Sequence, residues 1–150
     1  MNAHTEIFGP GTTTDWLGGT FRILLTPAET EGRLGMFEAV VPPGFGPPRH
    51  IHRNEDETVL ILEGEVRYWL AGEIFDRRAG DVVFLPRGKE HTFKIVGETP
   101  ARLMGIVTPG GFEAFFPTVA KRKISLPEDA AQFAAIAASF GSEFTGPPLP

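Results

Sequence analysis

Three histidines and one carboxylate in this chain stand at intervals that suit metal chemistry. His50 and His52 lie in "PPRHIHRNEDETVLILEG" (residues 47–64), and His91 lies in "GDVVFLPRGKEHTF" (residues 80–93). Side chains alternate faces along a strand, so two imidazoles two residues apart project together. Glu57 heads an inward row with Val59 and Ile61. A carboxylate in that row has to be neutralised, paired or bound to a cation, because burying it alone is costly. The strand that ends at Pro86 and the Pro-Arg-Gly turn bring the chain back to His91, so the third imidazole can face the same point. Three imidazoles and a carboxylate converging in an apolar cavity make a site for one divalent first-row metal: Fe, Mn, Ni, Co, Cu or Zn. Glu55 and Asp56 compete for the carboxylate position, and strand parity favours Glu57. Glu57 can serve as a ligand or detach as a base. His4, near the N-terminus, is assigned no role.

The segments that must hold these groups read as short strands. Phe21–Thr26, Met36–Val41, Glu57–Leu62, Val66–Leu70, Asp81–Leu85, His91–Val96 and Arg102–Val107 are rich in Val, Ile, Leu or Phe and end at turn residues. Seven such runs with no helix between them predict an all-β sandwich or barrel. Beyond Val107, Phe112, Phe115 and Phe116 fall at helical spacing. Ser125 and Glu128 then stand in capping-box spacing before an alanine-rich run that stops at Gly141. Its apolar stripe, Ala130, Phe133, Ala134, Ala137 and Phe140, calls for a partner on the outside of the barrel. The tail "SEFTGPPLP" is too rich in proline for regular structure. The expected organisation is one domain over 1–150, with a barrel core of about 20–108 and a helical extension and tail over 109–150.

Composition bounds the partners. The chain has no cysteine, which excludes disulfides and thiolate metal sites. The net charge is −5, and the densest cationic run, "AKRKIS", reads as a solvated turn, so no nucleic-acid partner is expected. No apolar run approaches the roughly 18 residues that span a bilayer, and "MNAHTEIFGPG" has no secretory pattern, so the expected location is cytoplasmic, with no membrane partner. Sheet edges and an apolar outer face predict a homodimer.

The stretches Gly44 to Gly64 and Gly80 to His91 resemble the two motifs of the cupin superfamily. That likeness implies a jelly-roll β-barrel, here with short C-terminal helices, and a metal held by His50, His52, Glu57 and His91. The segment "PGGFEAFF" and the helix after it are similar to bacterial proteins resembling quercetin dioxygenase. This likeness implies oxygenase chemistry on a phenolic, catecholic or enolic small molecule with dioxygen. A non-redox isomerase, lyase or cyclase and a binding module without turnover are the other readings of such an open site. Tyr68, Phe84, Phe93, Met104, Phe112, Phe115 and Phe116 are expected to line the substrate pocket, and Arg102 is a candidate substrate anchor.

Overall fold

Alternating side chains fold the chain into two antiparallel sheets laid face to face, each sending one row of residues into the space between them. The computed structural model describes residues 8–150, and His4 lies outside them. One sheet runs in the order β1 (Thr13–Trp16), β2 (Gly19–Leu25), β3 (Gly35–Val41), β10 (Ala101–Thr108), β5 (Asp56–Glu63) and β8 (Val82–Leu85). The other runs β11 (Ser142–Gly146), β4 (Arg49–His52), β9 (His91–Val96), β6 (Glu65–Leu70) and β7 (Glu73–Arg78). Sequence neighbours are often split between the sheets, which is the crossing order of a jelly roll. Among the described residues, three short α-helices complete the fold: α1 (Pro27–Thr30), α2 (Phe115–Lys121) and α3 (Ala130–Ser139).

Phe21, Ala39, Val59, Ile61, Val66, Tyr68, Ile95 and Leu103 form one buried cluster between the sheets. A second cluster ties Phe37 and Val107 of the barrel to Phe112, Phe115, Val119, Phe133 and Ile136 of the C-terminal segment. Gly64 turns β5 into β6 at φ +89°, where its missing Cβ also spares a collision with Ala101.

Four expectations change here. The tail is not irregular: Ser142–Gly146 forms β11, because β4 has an edge that needs a partner. The Ser125–Glu128 capping box is absent. The Ser125 N–H instead donates to Asp129 Oδ2 at 2.9 Å, and α3 starts at Ala130. The buried side of α3 is Phe133, Ile136 and Ala137, while Ala130 and Ala134 are exposed. This side packs on α2 and β11 rather than on an outer sheet face. The helix expected across the phenylalanines opens as a 3-10 turn, Phe112–Ala114, before α2 begins. Strands β1 and β7 carried too little apolar alternation to be foreseen. Among the described residues no helix is long and apolar enough to cross a membrane.

Candidate metal centre

His50 and His52 stand on β4 with one residue between them, and both are buried. His91 opens β9 directly opposite His50. One ring nitrogen from each of the three lies within 4.8 Å of the others. The backbone sets two of the rings: His50 Nδ1 contacts the Pro48 carbonyl at 2.7 Å, and His91 Nδ1 contacts the Lys89 carbonyl at 3.2 Å. Each carbonyl lies two residues before its histidine. A ring that donates from Nδ1 keeps its Nε2 lone pair for a metal. His91 Nε2 is buried without a hydrogen-bond partner, which fits that role.

Glu57, on β5 between Val107 and Leu85, brings Oε2 to 3.4 Å from His52 Nε2 and 3.6 Å from His91 Nε2. Its two rivals go elsewhere. Asp56 accepts the Arg87 backbone N–H at 2.9 Å and pairs with that guanidinium at 3.2 Å. Glu55 is buried behind His52, with Oε1 3.0 Å from Nδ1, close enough for an ion pair but outside hydrogen-bond angles. In the sequence Glu55 stands only as a rival ligand. Its place behind the ring, as an outer carboxylate that steers an imidazole, has no signature in spacing alone.

The charges follow from this packing. Burial, and then the neighbouring His91 and His52, push His50 down to about 3. Burial also works against a charged His52, but contacts with Glu55 and Glu57 outweigh it and raise the group to about 9. Burial would raise Glu57, yet His52 and His91 hold it well below the usual carboxylate range. Glu57 thus calls for positive charge beside it, and His52 is the neighbour whose protonated form this packing favours. A divalent cation would supply that charge in its place.

The cluster opens into a cavity of about 370 Å³ lined by Tyr68, Phe93, Phe112, Phe115 and Phe116 among other aromatic rings. Phe112 presses edge-on against His52, with centroids 4.5 Å apart. Phe116 stacks on Phe21 at 4.2 Å. Phe144 of β11 also reaches the wall, 6.3 Å from the His50 ring, a contribution hidden by the proline-rich tail. Burial, and then the Glu57 charge, push the Tyr68 phenol up. Phe84 and Met104 belong to the outer face and are not pocket residues: Val83 and Leu85 point inward on β8, and Leu103 and Gly105 on β10. Phe84 is 55% exposed. Arg102 shares that outward parity and pairs with Glu38 at 3.2 Å, so it does not face the cavity.

The 3-10 turn beneath Phe112 is set by a buried acid. Glu113 accepts the Gly111 N–H at 2.7 Å, and a Cβ at Gly35 would collide with its carboxylate.

A model described as the cupin domain matches residues 37–107, a span that contains all three buried histidines. The chain is 35% identical over 95 residues to polyketide synthase CurC of Streptomyces cyaneus, covering 61% of this chain and 60% of that relative. It is 28% identical over 98 residues to quercetin 2,3-dioxygenase of Bacillus subtilis, covering 65% of this chain and 29% of that enzyme. In both cases it spans less than two thirds of the relative's length. The crystal structure of a predicted oxalate decarboxylase from Thermotoga maritima superposes with a TM-score of 0.58 at 25% identity, over 61% of this chain and 80% of the other.

Proposed function

Because the chain belongs to the cupin superfamily and gathers three buried imidazoles, we propose that it is a metal-dependent oxygenase, quercetin 2,3-dioxygenase-like, acting on a small phenolic, catecholic or enolic molecule with dioxygen. The observation that carries the reading is the nitrogen cluster of His50, His52 and His91, within 4.8 Å of one another at the wall of an aromatic cavity. A bound first-row divalent metal would acidify a coordinated hydroxyl and, if redox-active, support chemistry with dioxygen. His50, His52 and His91 would hold it. Glu57 either completes the ligand set or takes the substrate hydroxyl proton onto Oε2, since its charge already faces the cluster. Phe93, Phe112 and Phe116 stack on a planar substrate and keep water from it.

The similarity to a polyketide synthase protein favours a second reading, a non-redox cyclase or isomerase in which the same carboxylate moves a proton. Oxygen uptake with quercetin or catechol, after reconstitution with each of Fe, Mn, Ni, Co, Cu and Zn, tests the first reading. Uptake with at least one metal supports it, and none with any metal ends it. Turnover under argon favours the second.

An exposed apolar face on one sheet supports a dimer. Leu60, Met104, Val82 and Phe84 share the outer face of one sheet, and Val82 is 57% exposed. Light scattering that finds only a 16.3 kDa species removes the dimer.

A further inference from the structure

The chain has one tyrosine against thirteen phenylalanines, and that tyrosine is placed where a phenylalanine would be the simpler choice. Tyr68 is fully buried on β6, and its hydroxyl has no hydrogen-bond partner. Its ring is held between Phe75, stacked at 5.7 Å, and Phe93, tilted at 5.9 Å. A buried hydroxyl without a partner carries a desolvation penalty that phenylalanine avoids, so such a group calls for a reason beyond packing.

The register supplies that reason. Tyr68 lies opposite Phe93 on β9, and His91 lies opposite Leu70. Tyr68 is therefore the diagonal neighbour of His91 on the inward face, a separation that long side chains bridge. It lines the same cavity as the histidines. Its phenol is the one hydroxyl that β6 contributes to the inward face.

We propose that the Tyr68 hydroxyl is a positioning and specificity residue, donating a hydrogen bond to an oxygen of the small molecule seated against the histidine cluster. This rests on the reading of the cavity as a site for an oxygenated aromatic or enolic ligand. Tyr68 would fix the ligand's rotation about its bound oxygen and disfavour rings that carry no acceptor there. An unpaired donor penalises the ligand that leaves it unpaired.

Tyr68→Phe keeps the ring and removes only the donor. Zinc-reconstituted protein can be titrated with 4-nitrocatechol and followed by absorbance, so that binding is read without turnover. The expected result is a Kd raised about tenfold in Tyr68→Phe, with zinc stoichiometry unchanged and Tm equal to or above that of the parent protein. An unchanged Kd overturns the role of Tyr68 and leaves the cavity reading standing. A lowered Tm also overturns it, because the hydroxyl would then serve the fold. If 4-nitrocatechol binds neither protein while both hold zinc, the cavity reading fails, and the Tyr68 role fails with it.

Discussion

The two strands that supply the imidazoles are supported in unequal ways. His91 opens β9, which pairs with β6 along all six of its residues. His50 and His52 stand on β4, which meets β9 only at the His50–His91 pair and finds the rest of its ladder on β11. Further ties hold β4 to the same C-terminal segment. The Arg53 N–H donates to the Gly141 carbonyl at 2.9 Å, the Arg49 N–H to the Pro147 carbonyl at 3.2 Å, and Arg53 Nε to Glu143 Oε2 at 3.0 Å. One wall of the centre is thus built from nearby chain and the other from a segment some 90 residues away. A motif compact in sequence can owe half of its geometry to a remote strand.

The largest break in that comparison comes from removing an imidazole on either wall. His50→Ala and His91→Ala should each weaken metal binding by at least about 100-fold. Elemental analysis after dialysis checks this, and full stoichiometry in both variants would refute the centre. Deleting residues 141–150 removes the ladder partner of β4, together with the Phe144 ring and the strand on which α3 packs, and leaves the β9–β6 ladder in place. It should weaken binding about 30-fold in a chelator competition while the β-sheet circular dichroism persists. An unchanged affinity would mean that β4 holds its shape without β11.

Glu55→Gln sharpens the contrast further, since Glu55 lies at His52 Nδ1, whereas the Nδ1 atoms of His50 and His91 meet backbone carbonyls. Its expected effect is about tenfold in affinity, with the pH profile shifted, because His52 then holds its proton less tightly.

The smallest effect is on stability, and its sign changes with the metal. His52 is raised from 6.5 to about 9, so in metal-depleted protein its contribution is complete below about 6.5 and is lost as pH rises through about 9. His50, lowered to about 3, acts the opposite way and removes stability as pH falls below 6.5. Metal has to displace the His52 proton, so affinity should rise by up to about tenfold per pH unit toward 9. Thermal melts at pH 7 and 9, with and without zinc, should therefore diverge. Parallel shifts would place the proton elsewhere.

The imidazoles and Glu57 were legible because strand parity acts over a few residues, and a His-x-His pair keeps its shared face wherever the strand lies. The strand runs of the barrel were legible for the same reason. Parity failed at Phe84 and Met104. "VVFL" is apolar at every position, so the sequence shows no alternation, and only the pairing of Val83 with Val59 and Leu85 with Glu57 decides which side turns inward. Arg102 reads as an anchor in the sequence because its outward partners Glu38 and Glu63 lie on other strands. The strand at Ser142–Gly146 was hidden by the prolines after it, and Glu55 by a contact that depends on how the loop after His52 folds back.

Gly35 has a consequence well away from its own strand. Its bare α-carbon leaves a niche in which Glu113 lodges, and the turn held there sets the Phe112 ring over His52. One added methyl at that glycine would evict the acid, slacken the turn and admit solvent to the imidazoles. Clearance beside one glycine thereby governs how dry the imidazoles stay.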